Sequence, residues 1–103
     1  MTYTDEAWSM AFLADRRERD RLVAEREARL GKLALPITPA RKRVRPLHVA
    51  AVERLRQQIV IEDARLAMRN LILRDAGMAT PEDMDDMTAT NAIALLRWQA
   101  GRG

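Results

Sequence analysis

Two apolar faces run along the segment from about residue 47 to residue 76, when its residues are placed at about 100° per residue. One face carries large branched side chains: Val52, Leu55, Ile59, Leu66 and Leu73. The other carries smaller and more irregular ones: Val60, Ile61, Ala64, Ala67, Met68, Leu71 and Ile72. A surface helix needs only one apolar stripe. The pattern therefore predicts one long α-helix, ending at Gly77, that packs against helices on both sides.

The branched face is the predicted partner surface. Four of its members recur every seven residues from Val52 to Leu73, which is a coiled-coil element. Glu62 and Arg69 interrupt the alternate positions, so we expect a bundle contact rather than a long dimeric zipper. We predict that the chain's short C-terminal helix covers the second face and that another chain covers the branched face.

The first helix is predicted to begin after Thr4, whose hydroxyl can cap the free N–H groups of the first turn. It is expected to continue to about Leu30, where Gly31 offers a left-handed stop. Trp8 and Phe12 are expected to anchor its start in a core. Residues 15–21 are charged on all sides and are therefore predicted to lie in solvent.

A basic, proline-rich connector is predicted at residues 33–46, because Pro36, Pro39 and Pro46 oppose a continuous helix. It is expected to be extended, since residues before proline avoid the α region. Farther along the chain, Thr80 and Pro81 followed by acidic residues signal a new helix start. We predict a short helix there to about Met87 and a last helix from Thr88. The fold class is thus an all-α, hairpin-like bundle in a single domain, residues 1–103.

Composition narrows the classes of function. The chain has 103 residues, a net charge of +3, 4% aromatic residues and no cysteine. The absence of cysteine excludes disulfides and thiolate metal sites. The N-terminus is acidic where a signal peptide is basic. No apolar run reaches the roughly 20 residues that span a bilayer. We therefore expect a cytoplasmic protein with no membrane partner.

Catalytic and metal-binding chemistry is not indicated. His48 is the only histidine and, without cysteine, cannot build a usual zinc site. The acids at 82, 83, 85 and 86 lack the spacing of a calcium loop and fit the positive end of a helix dipole. No phosphate-binding glycine loop or nucleophile elbow is present. We predict no enzyme activity, no metal and no cofactor. Glu62 and Arg65 are read as a structural ion pair at the seam between the two apolar faces.

A cluster of cations is the second candidate site. It consists of Arg41, Lys42, Arg43, Arg45, Arg54 and Arg56. Such a patch can bind phosphate backbones without sequence preference, although no aromatic residue is interleaved for base stacking. An acidic protein surface, including the acidic segment at 82–86 of a neighbouring copy, and a plain solvated loop are the alternatives.

The sequence thus favours a small non-enzymatic interaction or assembly protein that packs in a homo-oligomer or a larger complex. Bacterial and phage structural or assembly components are one setting for such a helical chain. The alternative is a nucleic-acid-associated protein that contacts the phosphate backbone through residues 41–56.

Overall fold

The computed structural model describes residues 3–102, and this part of the chain is all-α, as the sequence predicts. Its helices are α1 (Asp5–Leu13), α2 (Arg16–Leu33), α3 (Pro39–Asp75) and α4 (Asp86–Arg102), with a 3-10 turn at Pro81–Asp83. The molecule is elongated, with extents of 64 × 24 × 17 Å. The length of α3 sets this shape, because a helix rises about 1.5 Å per residue.

Helices α2 and α3 form a long antiparallel hairpin joined by residues 34–38. The Arg45 guanidinium donates to the Leu33 carbonyl beside the loop, whereas Arg19 pairs with Asp63 farther along the hairpin. A small apolar cluster lies between the two helices. It is formed by Leu22, Leu55 and Ile59, with Val23 packed against it.

The second and larger apolar cluster lies at the other end, where α1 and α4 pack against the last turns of α3. Its buried members are Trp8, Ala11, Ile72, Leu73, Ala89 and Ile93. Ala11 of α1 and Ala89 of α4 have small side chains, which let the helix backbones approach closely. This packing confirms Trp8 as a core residue. The prediction for Phe12 is wrong, because its side chain is 50% exposed.

The first predicted helix is in fact two helices. The Thr4 hydroxyl accepts the Ala7 N–H as expected, but α1 ends at Leu13 and the backbone is extended at Ala14 and Asp15. Asp15 then caps α2 by accepting the Glu18 N–H at 3.0 Å. An N-cap acid three residues before a Glu is a known helix-start pattern. In the sequence, the charged run that follows Asp15 masks this local signal.

The predicted extended connector is wrong for residues 39–46, which are helical. Helix α3 begins with Thr38 as cap, accepting the Arg41 N–H at 3.2 Å, and with Pro39 in the first turn. Pro46 lies inside the helix, where it removes one backbone hydrogen bond. This part of α3 is exposed, so water can hydrate the carbonyl that Pro46 leaves without a donor. The connector therefore shrinks to residues 34–38.

The end of α3 follows the prediction. The helix finishes at Asp75, and Gly77 has a φ of +88°, a left-handed conformation that favours glycine. Thr80 and Pro81 then start only one 3-10 turn instead of the predicted short helix. The last helix begins at Asp86, two residues before the predicted Thr88.

Candidate interaction surfaces

The branched face of α3 lies in the protein's own core, against our expectation that another chain covers it. Leu55 and Ile59 pack against α2, and Leu73 packs against α1. Val52 and Leu66 are half-buried at the edges of this contact. The segment before α3 has few large apolar side chains. Its division into α1 and α2 lets each part contact a different stretch of α3.

The predicted seam is present beside this face. Glu62 is buried, and the Arg65 guanidinium donates to its carboxylate at 2.7 Å. Arg69 lies two turns farther along and is fully buried. Its guanidinium donates to the Ala14 carbonyl at 3.1 Å and to Asp86 at 3.0 Å. The polar strip of α3 thus faces inward, towards the break between α1 and α2.

Asp86 is the centre of this polar network, a role that the sequence did not reveal. Its carboxylate accepts the backbone N–H groups of Arg16 at 2.9 Å and Arg17 at 3.1 Å, in addition to the bond from Arg69. One side chain of α4 therefore caps α2 and pairs with α3. The sequence pattern relates this acid only to the dipole of its own helix, because its distant partners leave no local pattern.

The electrostatics of Asp86 indicate a structural role. Burial raises its pKa, but the hydrogen bonds from Arg16, Arg17 and Arg69 outweigh burial and lower the pKa to about 2. The carboxylate is therefore ionised at neutral pH and poorly suited to proton transfer, which favours groups with a pKa near the working pH. Both of its oxygens already accept hydrogen bonds.

The second apolar face of α3 is only partly covered by α4. Ile72 is buried and Met68 packs against the same cluster. The remaining members are exposed, with Val60 at 59% and Leu71 at 47%. We define the outer stripe of α3 as Val60, Ala64, Ala67 and Leu71, with Ile61 beside it. Spacings of four, three and four residues place the stripe on one side of the helix.

A groove between α1 and α4 exposes aromatic side chains. Phe12 and Trp98 line it, and each is at least half exposed. The Arg102 guanidinium lies 4.5 Å from the centre of the Trp98 ring, a cation–π contact. Trp and Arg are over-represented among the residues that dominate binding energy at protein interfaces. The groove is thus a second surface with the composition of an interface.

All six residues of the predicted basic site are exposed. They lie on the first five turns of α3, so the four cations at 41–45 are helical and not in an extended connector, and Arg56 is paired with Glu53 at 2.8 Å. Residues 28–52 contain no acid, and we call this stretch the acid-free tip of the hairpin. Its six cations are Arg29, Lys32, Arg41, Lys42, Arg43 and Arg45.

A cavity of about 270 Å³ opens at this tip, between the loop and the start of α3. Its apolar lining is Leu33, Leu35, Ile37 and Val44. Its basic lining is Lys32, Arg41, Lys42 and Arg45, and the His48 ring lies beside them. The His48 Nδ1 accepts the Arg29 Nη1–H at 3.0 Å, since a guanidinium can only donate. Burial and the charges of Arg29 and Lys32 lower the pKa of His48 and so favour its neutral form.

No group of three or more metal-ligating side chains is found among residues 3–102. Within the same range, no helix combines the length and apolar character needed to cross a membrane. Comparison of the chain with protein-family models, with curated proteins and with solved structures found no match.

Proposed function

We propose that this chain is a small non-enzymatic helical interaction or assembly protein, which packs in a homo-oligomer or a larger complex through the outer stripe of α3. The observation that carries the proposal is the exposure of this stripe. Val60 and Leu71 face solvent in the C-terminal half of a 37-residue helix. The chain's own helices lie on other sides of α3. Contiguous exposed apolar side chains commonly mark protein contact sites.

The stripe has the shape of a helix-docking surface. Ala64 and Ala67 lie at its centre, where small side chains let a second backbone approach closely. Val60 and Leu71 lie at its ends and supply most of its apolar area. In an antiparallel pair of identical stripes, Val60 of one copy meets Leu71 of the other and the alanines meet at the two-fold axis. A second copy is thus the simplest occupant.

The groove between α1 and α4 supports the second half of the proposal. It shares no residue with the outer stripe. A protein with two separate apolar surfaces can contact two neighbours at once, which is the minimal requirement for a larger assembly. A contact between unlike surfaces that does not close on itself produces an open chain of subunits.

Light scattering over a dilution series tests self-association through the stripe. We expect the mass to fall towards the monomer on dilution. Val60→Glu with Leu71→Glu should weaken the dimer at least about 100-fold, because burying each aliphatic side chain contributes about 1.5–3 kcal/mol and each occurs twice in a two-fold dimer. Leu47→Glu is the matched control, since Leu47 is 67% exposed on the same helix but outside the stripe.

Two outcomes contradict the proposal in its simplest form. A mass that stays monomeric at every concentration excludes the homo-oligomer. Equal weakening by the stripe variant and by Leu47→Glu shows that added negative charge, rather than loss of the apolar contact, caused dissociation. Circular dichroism of each variant checks that the monomer keeps its helices.

Nucleic-acid association through the basic segment is the second candidate, and the acid-free tip is the observation that favours it. Six cations without a nearby acid give the salt-dependent attraction that phosphate backbones exploit. Binding to duplex DNA and to single-stranded RNA at two salt concentrations tests it. Four phosphate contacts predict roughly 100-fold weaker binding when salt rises from about 50 to 200 mM. No binding at low salt eliminates this candidate.

A further inference from the structure

We propose that the cavity at the acid-free tip binds a short aliphatic carboxylate, with the aliphatic chain between the loop and α3 and the carboxylate against Arg41 and Arg45. This inference is independent of self-association, because the cavity and the outer stripe share no residue. It assigns one ligand chemistry to a site in which apolar and basic side chains converge.

The lining of the cavity selects an aliphatic group. Four of its side chains are aliphatic, and no Phe, Tyr or Trp lines it. Ile37 is 68% exposed, so a ligand that covers it removes apolar surface from water. The volume of about 270 Å³ lies just below the usual range of small-molecule sites, roughly 300–1,000 Å³. A short chain therefore fits and a bulky ring system does not.

The rim of the cavity selects an anion. Lys32, Arg41 and Arg45 line it, and the surrounding residues 28–52 include no acid that would neutralise them. The hydrogen bond from Arg29 to His48 is consistent with a positive rim. Surrounding cations favour the neutral form of histidine, and only that form can accept a hydrogen bond from a guanidinium. Carboxylates match the planar fork of arginine and can accept two of its N–H groups.

The loop holds the two arginines in place before any ligand arrives. The Arg41 guanidinium donates to the Pro36 carbonyl at 2.9 Å, and that of Arg45 donates to the Leu33 carbonyl at 3.3 Å. Both bonds connect α3 to the residues that frame the cavity. Each uses one of the five N–H groups of its guanidinium, which leaves others to donate to a carboxylate. Preorganised donors reduce the entropy lost on binding.

Titration of the full chain with octanoate, followed by NMR of the His48 ring and of the Leu33, Ile37 and Val44 methyl groups, tests the proposal. We expect saturable shifts confined to these signals. Butyrate should bind at least about tenfold more weakly, because it is four methylenes shorter. Octanol should also bind about tenfold more weakly, because it lacks the charge.

A matched pair of double variants separates the cavity from general positive charge. Arg41→Gln with Arg45→Gln should weaken octanoate binding about tenfold or more. Arg43→Gln with Arg54→Gln removes the same charge from residues that do not line the cavity, and should leave the affinity within about twofold.

The proposal is overturned if octanoate gives no saturable shifts, if butyrate binds equally well, or if the two double variants weaken binding equally. None of these results bears on self-association, which is measured with variants of the outer stripe. The two double variants also distinguish this site from phosphate-backbone binding, because both should weaken binding to a phosphate backbone.

Discussion

Replacement of Asp86 by Asn is the sharpest test of how this bundle is held together. Asp86 of α4 accepts the first N–H groups of α2 and pairs with the fully buried Arg69 of α3. Asn keeps the size of the side chain and one acceptor oxygen but removes the charge and the second acceptor. Arg69 then stays buried without a counter-ion, because its remaining hydrogen bond is to the neutral Ala14 carbonyl.

The lowered pKa gives the first part of the magnitude. A fall from 3.8 to about 2 corresponds to about 2 kcal/mol of preference for the ionised carboxylate in the folded state. Removing one partner of a buried ion pair typically destabilises a protein by about 3–5 kcal/mol, because the other charge is left unpaired. We therefore expect Asp86→Asn to lower the free energy of unfolding by about 2–5 kcal/mol at pH 7.

The dependence on pH follows from the direction of the shift. Because the pKa of Asp86 is lower in the folded than in the unfolded chain, its ionised form stabilises the fold above about pH 4. This contribution is lost as the pH falls through about 2, and below that pH the carboxylate is protonated in both states. The difference in stability between wild type and Asp86→Asn should therefore shrink between about pH 4 and pH 2.

Urea unfolding followed by circular dichroism at pH 7, 4, 3 and 2 measures this difference. Asp85→Asn is the control. Asp85 is exposed and accepts the Thr88 N–H at 2.7 Å, and Asn caps a helix about as well as Asp. This role of Asp86 is refuted if Asp86→Asn and Asp85→Asn have the same stability at pH 7. It also fails if the effect of Asp86→Asn is unchanged at pH 2.

Three further predictions concern single positions. Glu62→Ala should lower the free energy of unfolding by about 1–3 kcal/mol, because Glu62 is buried and paired with Arg65. Glu53→Ala removes an exposed ion pair and should change the stability little. Equal melting temperatures for the two variants would contradict a buried pair at the seam. Leu55→Ala should lower the free energy of unfolding by about 2–5 kcal/mol at every protein concentration, because Leu55 is buried within one chain. A loss that depends on protein concentration would instead place the branched face of α3 in an oligomer contact. Gly77→Ala should lower the free energy of unfolding by about 1 kcal/mol, whereas Gly31→Ala, inside α2, should raise it slightly. Changes of the same sign in both variants would contradict a left-handed end of α3 at Gly77.

Features that depend on nearby residues could be predicted from the sequence. The cap at Thr4 and the end of α3 before Gly77 are signalled within a few positions. The pairing of Glu62 with Arg65 follows from helical spacing and is present at 2.7 Å. The two apolar faces of α3 could also be predicted, because helical periodicity alone shows which residues share a side.

Features that depend on distant residues could not be predicted. Periodicity separates the faces of α3 but does not say which helix covers each one. Leu55 is buried because Leu22 lies opposite, and that meeting depends on the break at Asp15. The bond between Arg69 and Asp86 spans 17 residues and two helices, so neither side chain carries a local sign of its partner.

The helical start of α3 changes what the basic segment can do. In the extended conformation predicted from the prolines, Arg41, Arg43 and Arg45 would share one side, because side chains alternate along an extended chain. In the helix, Arg41 and Arg45 lie one turn apart on one side, whereas Arg43 lies opposite. Only the helix directs two of the three arginines to the loop carbonyls and the cavity. Unequal effects of replacing Arg41 and Arg43 on octanoate binding are therefore a signature of the helix itself, and equal effects would indicate the extended segment.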